Sequence, residues 1–250
     1  MDRKKYPLMF HILELRRRLL KIAVIFFVVS ILGYFKAEFF LSILIHPLTS
    51  LGVNKRLIFT ELTEVFSTYV KLGLTLGTLT SLPFLFNELW KFLLPGLKKK
   101  EQKQLRPIFV ISPLLFIGGL TFSYFFVLPN AVYFFGSFES LIGNAHKEIP
   151  LVLEARISDY FSLSTQILCA FGIAFQLPVI MYIANLIGFL TYQNMQQFRR
   201  IAIIVILVIS AILTPPDVLS MFALAIPLYG LYEGTILFLK TRTRKRAQNA

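Results

Sequence analysis

Residues 19–35 read LLKIAVIFFVVSILGYF. Lys21 is the only charge in the run, and it sits near one end. From there a long side chain reaches the headgroups while its stem stays in hydrocarbon. A bilayer core about 30 Å thick takes about 20 helical residues, and this run comes within one helical turn of that length. Basic residues precede it (Arg3, Lys4 and Lys5, then Arg16, Arg17 and Arg18) in the manner of an export signal. No small-x-small cleavage site follows, since the chain continues Gly33-Tyr34-Phe35-Lys36. The run is therefore read as a retained first span.

Five more apolar runs follow, at about 69–94, 107–128, 161–186, 201–213 and 218–239. The fifth is short, about 20 Å of helix at 1.5 Å per residue. It ends at Thr214-Pro215-Pro216-Asp217, a hard break for a helix. Two readings compete there: a short hairpin crossing a thinned bilayer, or a re-entrant loop. The apolar stretch after the break favours crossing. The expected fold is all-α: one polytopic domain over residues 1–250 with six transmembrane helices. Pro83, Pro113, Pro178 and Pro227 interrupt spans, and prolines kink helices; kinked together, the helices would form a concave bundle.

Composition agrees. Of 250 residues 56% are apolar, 26 are Phe and only 16% are charged, against roughly 25% charged in a soluble domain. The net charge of +13 is confined to blocks between the apolar runs. That leaves no polar, foldable surface for nucleic acid, and orientation explains the excess better. Twenty Lys and Arg lie in the N-terminal tail, in 87–107, in 185–200 and from Lys240 onward, against five in the opposite segments. The positive-inside rule then places both termini in the cytoplasm, which requires an even number of spans. The single cysteine, Cys169, allows no internal disulfide.

Catalytic patterns are absent. There is no His-Glu-x-x-His motif and no Walker motif, and His11, His46 and His146 are far apart. No enzyme, metal or cofactor is expected. Two acids stand out among the bases of the cytoplasmic segments: Glu14, in the stretch from His11 to Arg16, and Glu101, directly after Lys98, Lys99 and Lys100. Either each neutralises a neighbour, as Glu14 does if it pairs with Arg17 or Arg18 one turn on, or they hold an incoming guanidinium. Guanidinium pairs bidentately with a carboxylate in a way that lysine cannot copy. Gln176 lies mid-span, either as an interhelical hydrogen-bonding group or as a functional one. Glu233 lies near the cytoplasmic end of the last span.

These residues fall into blocks. His11-x-x-Glu14-Leu15-Arg16-x-Arg18-Leu19 is one, and Leu89-Trp90-x-Phe92-x-x-Pro95-Gly96-Leu97 followed by Glu101 is another. Phe171-Gly172-x-x-Phe175-x-x-Pro178 and Leu213-Thr214-Pro215-Pro216-Asp217 with Ala225-Ile226-Pro227 complete the set. In this order, over nearly the whole chain, they resemble the TatC family, the multi-spanning core of the twin-arginine protein translocase. The resemblance implies a receptor for the signal peptides of folded cargo, in a bacterial inner membrane. It would work with single-span partners of TatA-like and TatB-like type, driven by the proton motive force, and would self-associate. It implies that Glu14 and Glu101 recognise the arginine pair. Arg16 belongs to the first of these motifs, and Phe92, Pro95, Gly96 and Leu97 to the recognition loop. It further implies roles for Pro47 in the first outer loop, and for Thr214 and Asp217 in the outer turn beside a TatB-contacting fifth span. Gln176 stands where family members often carry Glu; an amide hydrogen-bonds but carries neither charge nor proton. The alternative is a secondary transporter of a small solute, which should show buried charge pairs or repeated halves; neither is found.

Overall fold

The computed structural model describes residues 8–49, 57–93, 99–145, 155–214 and 218–248. Its helices, in order, are α1 (Leu8–Phe35), α2 (Ala37–Thr49), α3 (Glu64–Leu93), α4 (Lys99–Leu105), α5 (Ile108–Phe122), α6 (Leu128–Ala145), α7 (Ile157–Ala174), α8 (Leu177–Leu186), α9 (Tyr192–Gln197), α10 (Arg199–Leu213) and α11 (Val218–Gln248). One π-helical turn, Ser123–Val127, joins α5 to α6. The described strands are β1 (Leu57–Ile58) and β2 (Ala155–Arg156), paired in parallel. Among the described residues five helical runs are long and apolar enough to cross a membrane: Leu13–Phe35, Glu64–Phe92, Gln102–Ser137, Ile157–Leu186 and Ser220–Thr243. The chain is thus an all-α membrane protein. The fifth expected run lies in α10, whose 15 residues make about 22 Å of helix.

The helices overrun the apolar stretches. α1 begins well before residue 19, α6 carries the third run on to Ala145, and α11 continues to Gln248. Pro83, Pro113 and Pro227 stand inside continuous helices. Pro178 stands at a break: it lacks the N–H that would reach the Ala174 carbonyl, and Phe175 and Gln176 separate α7 from α8. α8 ends in a Schellman motif. Gly188 takes φ +79, its N–H donates to the Asn185 carbonyl at 3.2 Å, and that of Phe189 donates to the Ala184 carbonyl at 2.9 Å. Only glycine adopts that φ at no steric cost. Thr191 then caps α9, accepting from the Asn194 N–H at 3.2 Å.

The chain divides into two units. The first comprises residues 1–41 and 66–113. Within it α1 meets α3 across small residues. A Cβ on Gly73 would stand 2.6 Å from the Ser30 carbonyl oxygen, and one on Gly77 would collide with Ser30 Oγ. Lipid gives apolar helices no hydrophobic reason to associate, so close packing through small residues supplies it. Trp90 Nε1 donates to Ser112 Oγ at 3.2 Å, tying α3 to α5.

The second unit comprises residues 42–65 and 114–250. Its core gathers Leu128, Ile167, Phe171, Leu224, Leu228 and Ile236 among others. α10 packs on α11, and α11 packs on α8 and α9. Phe122 lies 5.8 Å from both Phe171 and Phe175. The Tyr124 and Tyr160 hydroxyls donate to the Ile43 and Leu44 carbonyls at 2.7 and 2.6 Å, securing the second half of α2. Glu64, buried, accepts from the Thr60 N–H at 2.7 Å and the Ser158 N–H at 3.3 Å. A buried carboxylate needs such donors.

Candidate site at the basic end of the first unit

The basic run Arg16-Arg17-Arg18 lies on α1 one turn after Glu14. Helical spacing puts Arg18 at i+4 from Glu14, on the same face, and Arg18 Nη2 pairs with Glu14 Oε1. Arg18 also reaches α3: its Nη1 donates to the Glu88 carbonyl at 3.0 Å and stands 3.4 Å from Glu88 Oε2. Lys91 Nζ takes the other carboxylate oxygen of Glu88 at 2.6 Å. One guanidinium therefore bridges two carboxylates on two helices. The Arg18 side chain is mostly enclosed, whereas that of Glu14 is 47% exposed. Glu14 is the acid that faces outward.

Around this pair the surface is basic. Arg16, Arg17 and Lys21 are exposed, and no acid pairs with them among the described residues. Arg16 also borders a shallow apolar groove with Leu15, Leu19, Leu20 and Ala23. Phe92 follows Glu88 by one turn on α3 and is half-buried. Glu101 lies on α4, in the same unit, with its side chain outside the described residues. Pro95, Gly96, Leu97 and Asp217 also lie outside them.

The remaining candidates belong to the second unit. Gln176, 1% exposed, sits at the break before α8. Pro47 is buried inside α2. Thr214 is buried at the end of α10, its hydroxyl donating to the Ser210 carbonyl at 2.8 Å. Candidates that the sequence spreads over the whole chain thus divide between units: Glu14, Arg16, Phe92 and Glu101 in the first, Pro47, Gln176 and Thr214 in the second.

Sequence reasoning did not single out Glu88 or Lys91. Their i,i+3 spacing at the basic end of the second apolar run was the available signal. It also left Glu233 without a partner. Arg199 Nη2 stands 2.7 Å from Glu233 Oε2, and the Tyr229 hydroxyl donates to Oε1 at 3.1 Å, joining the start of α10 to α11.

Residues 10–227 match the family described as TatC, Sec-independent protein translocase protein. The chain belongs to the TatC family. The TatC of Rickettsia prowazekii is 40% identical over 94% of this chain and 92% of its own length. That of Magnetococcus marinus is 36% identical over 98% and 88%, and that of Aquifex aeolicus 32% over 97% and 98%. Two crystal structures of a twin arginine translocase receptor, TatC, superpose with TM-scores of 0.76 and 0.77 at 30% and 31% identity. They cover 92% and 93% of this chain and 99% of theirs. TatC proteins are components of a protein translocase and not enzymes, and this member of the family is a multi-pass membrane protein.

Proposed function

We propose that this chain is the receptor for twin-arginine signal peptides and the core of a Sec-independent translocase that exports folded proteins on the proton motive force. The observation that carries this is Glu14. It is an outward-facing carboxylate, already engaged by a guanidinium, on an otherwise basic helix end. Glu14 and Glu101 take the two arginines of the signal. Phe92, Pro95, Gly96 and Leu97 belong to the recognition-loop motif, and Arg16 to the motif that carries Glu14. Exposed bases nearby repel other cations, so the site discriminates by repulsion as well as by attraction.

In this reading six spans cross a bacterial inner membrane with both termini in the cytoplasm, α10 being the short fifth. TatB-like and TatA-like single-span subunits dock beside it. Thr214 and Asp217 form the outer turn, Pro47 lies in the first outer loop, and Gln176 serves as a neutral hydrogen-bonding group inside the membrane. Photo-crosslinking of a twin-arginine peptide to the full chain tests the receptor assignment. Glu14→Gln with Glu101→Gln should abolish the adduct, and normal crosslinking in that double variant overturns the assignment.

A further inference from the structure

The outward carboxylate of α1 already carries a guanidinium of the protein's own. Arg18 Nη2 holds Glu14 Oε1. A peptide arginine arriving at Glu14 finds Oε2 without a partner among the described residues, but with a like charge on the neighbouring oxygen. Two guanidinium groups on one carboxylate repel, so Arg18 has to withdraw. The place for it is built. Arg18 Nη1 already donates to the Glu88 carbonyl at 3.0 Å and lies 3.4 Å from Glu88 Oε2. A small rotation about the distal side-chain bonds gives up Glu14 and tightens on Glu88. Lys91 occupies only Oε1 of Glu88, at 2.6 Å. The four groups, Glu14, Glu88, Arg18 and Lys91, sum to zero charge, so neither carboxylate is left uncompensated before the peptide arrives.

We propose that Arg18 is a resident occupant of the signal-peptide carboxylate, displaced onto Glu88 by an incoming guanidinium, and that this exchange sets the affinity threshold that an arginine clears and a lysine does not. The inference rests on the receptor reading of Glu14 given above. Selectivity follows from what replaces what. Arg18 holds Glu14 through Nη2 on Oε1 alone, and an incoming planar fork replaces that single contact with two parallel bonds. An ammonium is a compact, strongly hydrated donor that cannot return the second bond. Glu88 thereby acts as a positioning residue that never touches the peptide, and Arg18 as an internal competitor.

The test is equilibrium binding of a fluorescent synthetic twin-arginine signal peptide, and of its twin-lysine counterpart, to the full chain in nanodiscs. Arg18→Gln should tighten twin-arginine binding about three- to tenfold, the range a part-exposed ion pair supports. It should tighten twin-lysine binding by a similar factor, because withdrawing Arg18 costs every ligand the same. Glu88→Gln removes the charge of the second berth, leaving its backbone carbonyl, and should weaken twin-arginine binding about threefold, a loss of the size expected for one part-exposed pair. The double variant should bind like Arg18→Gln alone, because with no competitor the berth is irrelevant; a purely structural bridge between α1 and α3 would instead make each single variant, Arg18→Gln included, bind more weakly.

Thermal unfolding accompanies each variant. If Arg18→Gln does not fold, Arg18→Lys keeps a cation while surrendering the fork, and should move both affinities in the same directions by less. Weaker or unchanged twin-arginine binding in a folded Arg18 variant overturns the exchange. Undiminished peptide binding by Glu14→Gln would instead remove the receptor reading itself.

Discussion

α1 and the α7–α8 run have nearly the same mean hydropathy, yet 11% of one and 56% of the other is buried within the protein. On α1, Leu20, Val24, Phe27, Ile31 and Phe35 are exposed; on α7, Phe161, Ile167 and Phe171 are buried. Lipid and protein interior are equally apolar, so hydropathy cannot separate a helix that faces one from a helix that faces the other. Small residues and aromatics do. Gly172 on α7 leaves room for Phe116, whose ring would stand 2.7 Å from a Cβ there. α1 has one such patch, around Ser30 and Gly33, and that is where it meets α3.

The contrast can be broken most directly by aromatic truncation. Phe171→Ala should cost about 4 kcal/mol through the cavity it leaves, whereas Phe27→Ala, which faces outward, should cost well under about 1 kcal/mol. Equal losses in detergent unfolding curves would show that α1 is as tightly packed as α7. Adjacent glycines on α5 sharpen the point at smaller scale. A Cβ on Gly119 would stand 2.6 Å from the Phe171 carbonyl oxygen, which cannot step aside, whereas one on Gly118 meets nothing within 4 Å. Gly119→Val should therefore cost about 3 kcal/mol by overpacking, and Gly118→Val should change the unfolding midpoint little.

Tyr160→Phe removes the donor to the Leu44 carbonyl without changing shape. A loss of about 1 kcal/mol is expected, the value of a buried hydrogen bond; no loss would mean that water takes the donor's place. The smallest effect belongs to Arg199→Gln. Its pair with Glu233 is 45% exposed on the arginine side, and such pairs contribute less than about 1 kcal/mol. A larger drop in thermal stability would show that the start of α10 is fastened to α11 chiefly by charge.

Much of the architecture was legible in advance. The apolar runs, the weakness of the fifth and the break after Thr214 follow from solvation and from proline chemistry. Helix ends were less legible, because a helix does not stop where its apolar stretch stops. α6 and α11 continue through polar residues to Ala145 and Gln248, since backbone hydrogen bonds propagate while the side chains tolerate them. Of the four prolines inside the spans, only Pro178 stands at a break, and nothing in the residue type distinguishes it from Pro83, Pro113 and Pro227. Of the candidate site, Glu14 and its partner one turn on were readable from helical spacing. Glu88 was not, because it lies seventy residues away from Arg18 and its link to Arg18 runs between helices.

Hydrophobic patterning, charge asymmetry and motif order were enough to establish a multi-spanning TatC-family protein with acids set among bases. Each of these is a property of solvation or of local spacing, and neither depends on which helix lies beside which. Folding alone chose the neighbours: Arg18 between Glu14 and Glu88, Gly73 against Ser30, Gln176 at 1% exposure. In a membrane those choices rest on close packing and on satisfying polar groups, and both depend on distances between residues remote in the chain.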